Sequence, residues 1–426
     1  MAHWRYILAL ILTYMLFGAL LNSVGTVILQ SIESFNVTKT EASVLEAFKD
    51  LPIAAVSFLV ASFLPRLGFR RAMILGLGAV ALACIAMPLL PAFWTTKLMF
   101  AVTGSAFALV KVAAYSSIGL VTETRRGHAG LTNVIEGLFM VGVLSGYWIF
   151  AAFINPEDPA ALSWLDVYWW LAAAALAAAA LIAVTPLDES AAKSTRASAL
   201  KDFTAMLAMM GRPLVLVFVM SAFLYVLIEQ GVGTWLPTFN SQILGLPNAM
   251  SIQATSIFAA ALAVGRLGAG AVLSRLSWYP VLNACIVAMG VLVLLSLPLT
   301  RGFEPDPDMN WSSAPLAAFL LPMIGLFLAP IYPALNSVML TALPKSEHAA
   351  MTGLLVVFSA LGGTTGSIVT GVIFDRYDGQ TAFYMTLVPM AALLAALALF
   401  RHYAGGGEAG PAVTQTRASP PAAGAA

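Results

Sequence analysis

Six ionisable side chains fall inside long apolar segments: Glu46, Lys49, Asp50, Lys111, Glu136 and Glu229. A charge at membrane depth costs about 2.5–3.5 kcal/mol on insertion scales, so it normally faces water, a partner or a passing ligand. The chemistry open to such groups is binding and proton exchange. Desolvation favours the neutral form of a carboxylate, and access to water favours the charged form. Asp50, Glu136, Glu229 and Glu46 are therefore candidates for carrying a proton between two states of an interior site. Lys111 is a natural partner for an anionic ligand.

Spacing sorts these groups. Glu46, Lys49 and Asp50 stand at i, i+3 and i+4, on one side of a helix. Lys49 can neutralise one carboxylate and leave the other facing a cavity. Glu46 is expected near the outer mouth, where it could be a solvated helix end or a group facing the cavity. Asp50 is deeper and precedes Pro52, which frees backbone carbonyls nearby. Lys111 lies roughly 15 Å from the inner end of its helix, and Glu136 roughly 12 Å from the inner end of the next. Their levels agree, so a Lys111–Glu136 ion pair is expected. It could be a permanent bridge or a pair that opens for substrate or proton. Asp50 and Glu229 stand at roughly 20 and 24 Å, near one level but in different halves of the chain. Uncharged polar groups extend the pattern. Asn22, Thr26 and Gln30 recur every four residues along one helix face. Gln230, Thr234 and Trp235 continue the helix of Glu229, and Tyr332 and Asn336 lie one turn apart further on. Amide, hydroxyl and indole groups suit a polyhydroxylated ligand. Each alone also fits helix-to-helix hydrogen bonding, and Trp235 fits an interfacial belt.

These residues need elements to hold them. The chain has 426 residues, 60% of them hydrophobic and only 10% charged. Soluble domains carry about 25% charged residues, so the class is a polytopic, all-α membrane protein. A span needs about 20 mostly apolar residues. Twelve segments qualify, at 6–30, 43–64, 72–91, 96–121, 128–153, 166–185, 213–239, 251–273, 278–299, 314–341, 348–374 and 381–400. The first reads as a transmembrane helix rather than a cleaved leader. The longest polar connection, 186–212, is expected to link an N-terminal six-helix bundle, 1–185, to a C-terminal one, 213–403. The tail, 404–426, is rich in Gly, Ala and Pro and is expected to be disordered and cytoplasmic.

Basic residues orient the chain. With the N-terminus in the cytoplasm, fourteen Lys and Arg residues fall inside and only Lys39, Lys97, Arg301 and Arg376 outside. Both termini are therefore expected inside, and the acidic run at 304–308 outside. Cys84 and Cys285 lie in apolar runs and read as small hydrophobes. The four histidines show no ligand spacing, so no metal and no cofactor are expected. There is no P-loop and no nucleophile elbow, which speaks against an enzyme or an ATP-driven pump. A net charge of +1 implies no nucleic-acid partner.

An internal repeat supports two halves. His128, Ala129 and Thr132 open span five, and His348, Ala349 and Thr352 open span eleven, at an offset of 220 residues. At the same offset Gly142 matches Gly362, Gly146 matches Gly366 and Ser117 matches Ser337. Two copies of one six-helix unit in parallel orientation explain the set. Glycines 265, 268, 270, 362, 363 and 366 read as close-packing contacts.

With these motifs the chain resembles the major facilitator superfamily over about residues 5–400. The segment 64–71, Leu-Pro-Arg-Leu-Gly-Phe-Arg-Arg, is similar to that family's Gly-x-x-x-Asp-Arg-x-Gly-Arg-Arg loop without its Asp and first Gly. Gly265-Arg266 followed by Ser274-Arg275 resembles its second-half counterpart. Residues 225–238 of span seven and 331–337 of span ten resemble the fucose-permease-like branch. The resemblance implies alternating access in a fold of two pseudo-symmetric bundles, with spans one, four, seven and ten lining the cavity. It places a polar pair at Asn133 and Glu136. It also exposes a departure, because the branch's coupling carboxylates correspond here to Gly25 and Lys111. The reading from sequence is proton-coupled transport of a small polar solute, a sugar or acidic sugar derivative. The alternatives are proton-antiport efflux of a drug or metabolite, and a non-transporting sensor on the same fold. The expected partners are a small-molecule substrate, protons and the lipid bilayer. The expected form is a monomer in the cell membrane, the inner membrane if the source is a Gram-negative bacterium.

Overall fold

The computed structural model describes residues 4–122, 125–187, 189, 204, 206–300, 309–344 and 347–403. Most of the expected linker, the acidic run at 304–308 and the tail at 404–426 lie outside the described residues. Among those described, eleven helices are long and apolar enough to cross a membrane. The helix Leu45–Leu67, which carries Glu46, Lys49 and Asp50, completes a set of twelve.

Span one is two helices, Trp4–Leu21 and Val24–Phe35, broken at Asn22 and Ser23. Both side chains compete with the backbone for its carbonyls. Asn22 donates to the Gly18 oxygen at 3.0 Å and Ser23 to the Leu20 oxygen at 2.8 Å. Such local bonds weaken a helix from within. Span seven is likewise broken, into Pro213–Gly233 and Leu236–Gln242, with Thr234 and Trp235 at the joint. Pro237 opens the second piece, where its missing N–H costs nothing. Span ten is a chain of short pieces ending in Ile331–Ala342, interrupted near Pro322 and Pro330. Proline removes a helical hydrogen bond and clashes with the turn before it.

The other spans are Phe69–Leu89, Phe93–Val121, Arg125–Ala151, Val167–Val184, Asn248–Leu273, Trp278–Ser296, His348–Arg376 and Gly379–Tyr384 with Leu387–Tyr403. The packing repeats between halves. In the first, spans one and five, two and four, three and four, three and six, and one and six pack together. In the second the same pairs recur six spans later. The glycine repeat has a physical basis here. A Cβ on Gly142 or Gly146 would strike Met15 and Ala19 of span one, and one on Gly362 or Gly366 would strike Phe223 and Leu227 of span seven. Only a residue without a side chain lets these backbones approach so closely. Gly265 and Gly363 are also tightly faced, whereas Gly268 and Gly270 meet nothing within 4 Å and make no close packing.

The halves meet along spans two and eleven and along spans five and eight, which are equivalent pairs under the repeat. At the end away from the termini the contact is polar and close. Thr40 donates to Asp375 at 2.6 Å, Ser367 to the Ser43 carbonyl at 3.2 Å, and Trp148 to Ser256 at 3.3 Å. A short helix, Lys39–Ala42, caps this end, and its first turn is closed by a reciprocal Thr38–Glu41 capping box.

The turn between spans two and three is closed by a carboxylate from elsewhere in the chain. Gly68 has φ 86°, a conformation that favours glycine. The freed amides of Phe69 and Arg70 donate to the Glu189 carboxylate at 3.0 and 2.8 Å. Glu189 follows span six, so the carboxylate comes from a distant stretch of chain and caps the start of span three.

Candidate transport site

A cavity lies between the halves, bounded by spans one, two, five, seven and eight, with about 170 Å³ of room for water-sized occupants. Its wall includes Asn22, Glu46, Lys49, Glu229, Gln230 and Arg266. With Thr234, also on the wall, the structure thus brings together six residues singled out from sequence and adds Arg266.

Glu46 organises one side. It is fully buried, at 0% exposure, and Lys49 at 6% and Asp50 at 9% are nearly so. It forms an ion pair with Lys49. Its two oxygens also accept from the opposite half, one from Gln230 Nε2 at 2.7 Å and one from Thr234 Oγ1 at 3.1 Å. Lys49 reaches Asp50 Oδ1 at 3.5 Å. Asp50 turns toward span eleven, where a Cβ on Gly363 would strike its carboxylate. Of the two readings of Glu46, the solvated helix end is therefore corrected. Spans one, seven and eleven close over the start of span two, so its first turn is interior.

Arg266 organises the other side. Its guanidinium lies 3.7 Å from Glu229, and its other terminal nitrogen is 4.0 Å from Met140 Sδ of span five. Glu229 also accepts from Tyr225 at 3.2 Å. The Arg266 side chain is 45% exposed, against 21% for Glu229. The resemblance likened Gly265 and Arg266 to the start of the second-half motif, and the expected span 251–273 contains them. Both stand within the helix Asn248–Leu273, two turns before its end. A signal was present in the composition. Of 21 Lys and Arg residues, fourteen and four fall on the two sides, leaving Lys49, Lys111 and Arg266 within spans.

The expected Lys111–Glu136 ion pair does not form among the described residues. Tyr115, one turn beyond Lys111, donates its hydroxyl to Glu136 instead. The Lys111 ammonium lies over the rings of Phe107 and Tyr115, at 5.4 and 5.9 Å from their centres, a favourable cation–π arrangement. Phe107 in turn packs on Phe139, a cavity-wall residue, with ring centres 6.1 Å apart. Lys111, Asn133 and Glu136 are all exposed, and Glu136 stands within electrostatic reach of Arg266 across the gap. None of the three is on the cavity wall; Lys111 and Glu136 stand beside it, through Phe107 and Arg266 respectively.

Other expected residues lie elsewhere. Thr26 and Gln30 are buried in the sealed end, and neither the Thr26 hydroxyl nor either polar atom of the Gln30 amide has a protein partner. Beyond Asn22, the polar stripe of span one therefore leaves the cavity wall. Trp235 is buried and donates to the Ser367 carbonyl at 2.9 Å, so it is neither a belt residue nor free for a ligand. Tyr332 stacks on Tyr225 at 5.3 Å and lies 3.4 Å from Ser359, behind the wall. Asn336 is half-buried one turn further on.

Twelve helices in two equivalent halves, with a charged cavity between them, define a membrane transporter. The sequence matches the Major Facilitator Superfamily over residues 8–321, and the chain belongs to that family. It is similar to the D-xylose-proton symporter (TM-score 0.73, 13% identity, 96% of this chain and 100% of that one). It is also similar to the nucleoside transporter NupG (0.69, 15%, 94% and 98%) and to the fucose:proton symporter FucP of E. coli (0.58, 16%, 94% and 99%). In sequence, the MFS transporter asaE of Aspergillus flavus is 32% identical over 118 residues, 27% of this chain and 24% of that protein. The match thus takes in about a quarter of that relative.

Proposed function

We propose that the protein is a proton-coupled secondary transporter of a small acidic solute, working by alternating access. The halves 1–185 and 213–403 rock about the cavity, with both termini cytoplasmic and the chain acting as a monomer. The observation that carries this is the loose Glu229–Arg266 pair on the cavity wall, 3.7 Å apart and partly open. An incoming carboxylate competes with Glu229 for one guanidinium. Two carboxylates so close repel unless one holds a proton. Solute and proton on Glu229 therefore bind together and leave together.

Glu46 supplies the second element. Its bonds to Gln230 and Thr234 cross the halves and hold the outer side shut while the inner side is open. Opening the outer side would break both and hydrate Glu46, Lys49 and Asp50. Among the acidic solutes, the acidic sugar derivatives of the sequence reading carry the carboxylate that Arg266 and Lys111 call for, and neutral sugars do not. The test is flux in proteoliposomes driven by an imposed pH step. Accumulation of an acid that collapses with a protonophore is expected, as is its loss in Glu229→Gln with exchange retained. If every bound acid moves at a rate indifferent to the proton gradient, coupling is refuted.

A further inference from the structure

Most of the polar groups around the cavity are already spent on one another. Gln230, Thr234 and Lys49 are all directed at Glu46. The Asn22 amide nitrogen is bonded within its own helix, and Trp235, Thr26 and Gln30 lie outside the wall. A site that reads several hydroxyls must keep donors and acceptors free for them, because a hydroxyl left unpaired in a closed site loses its bonds to water. Apart from Tyr147 with its single hydroxyl, the remaining wall is apolar, with Val24, Phe139, Met140, Val143, Phe258 and Leu262. Arg266 is the exception. Its guanidinium lies 3.7 Å from Glu229 and 4.0 Å from Met140 Sδ and interacts with the Tyr225 hydroxyl, so its five donors are only partly taken up. A guanidinium presenting free parallel N–H groups matches a carboxylate bidentately. Room of about 170 Å³ is well below the roughly 300–1,000 Å³ of drug-sized sites.

We infer that the cavity takes a compact monocarboxylate with an apolar body, its acid group clamped by Arg266 and its body against the Phe139–Phe258 wall. Lys111 stands beside the cavity and draws the anion toward it. The inference rests on the transport reading and narrows its solute. Of the acids that Lys111 and Arg266 admit, it favours those without a ring of hydroxyls.

The test uses the purified full-length protein at pH 7.5, with binding read by calorimetry. The probes are benzoate, 4-hydroxybenzoate and hexanoate, against glucuronate and the neutral benzamide. At least one of the apolar acids is expected to bind at least tenfold tighter than glucuronate, with benzamide showing no binding. Arg266→Gln should weaken the acid at least tenfold. Arg266→Lys, which keeps the charge and loses the fork, should recover only part. Glucuronate binding more tightly than all three apolar acids overturns the inference. So does benzamide binding as well as benzoate, or an absence of binding by all three. Counterflow of the bound acid into proteoliposomes separates the two readings. An apolar acid that binds but never exchanges leaves the ligand class standing and refutes transport, while exchange of glucuronate alone does the reverse.

Discussion

Glu46→Gln should unlock the sealed end. In the sealed state this carboxylate accepts from Gln230 at 2.7 Å and from Thr234 at 3.1 Å, both across the halves. A hydrogen bond to a charged group contributes roughly 1.5–3 kcal/mol net of water, and a neutral one roughly 0.5–1.5 kcal/mol. Neutralising the acceptor therefore removes about 1–1.5 kcal/mol per bond, or about 2–3 kcal/mol for the two. At about 1.4 kcal/mol per decade, the sealed-to-open ratio falls roughly 30- to 140-fold. The loss of charge acts in the same direction on Lys49, which keeps only Asp50 at 3.5 Å and gains water by opening. The assay is labelling from outside with an impermeant maleimide. Thr238, fully buried four residues beyond Thr234, becomes the reporter as Thr238→Cys in a background with Cys84→Ala and Cys285→Ala. Labelling should quicken by tens of fold in Glu46→Gln. Thr234→Val, which leaves every charge in place, should give a smaller increase of the same sign. A rate unchanged or slowed in Glu46→Gln, with the protein folded and monodisperse, refutes the latch.

Gly142→Ala and Gly362→Ala should destabilise alike, by about 1–3 kcal/mol each as overpacking does, because each new Cβ meets backbone of the paired helix; thermal unfolding in detergent measures both. Glu189→Ala should cost about 1 kcal/mol through the lost cap on span three, with Glu189→Gln restoring part, by the same measurement. The Arg212–Glu347 pair, bonded at 2.6 and 2.9 Å, holds the Glu347 carboxyl below its usual range. Its contribution is present at neutral pH and is lost as pH falls through that lowered value. The melting-temperature gap between the wild type and Glu347→Gln should close on acidification, and a gap that widens instead would contradict the pairing.

Much of the fold was legible because lipid imposes simple rules. A span must be about twenty apolar residues, so the spans could be counted before any packing was known. The 220-residue glycine repeat marked equivalent helices because backbone contact admits no side chain. The charged residues of the interior stood out because lipid tolerates so few. Their partners did not. The Lys111–Glu136 pair was inferred from matching depth, but rotation about the helix axes and the intervening Tyr115 hydroxyl decide which groups meet. Glu46, at a helix start, could be read as solvated or as facing the cavity; its burial depends on spans from both halves closing over it. The stripe of Asn22, Thr26 and Gln30 was correctly seen as one face, yet the face splits, with Asn22 on the cavity and the others in the seal.

The sequence by itself determined the solvent, the number of spans, the doubling of the unit and the charges that must be sheltered, because each follows from the composition or periodicity of a local segment. Tertiary structure alone decided that Arg266 faces Glu229, that Glu46 bridges the halves, and that Glu189 caps the start of span three. Those pairings join residues 37, 184 and about 120 positions apart. Distances of that kind are set by how helices rotate and cross, which no local pattern records.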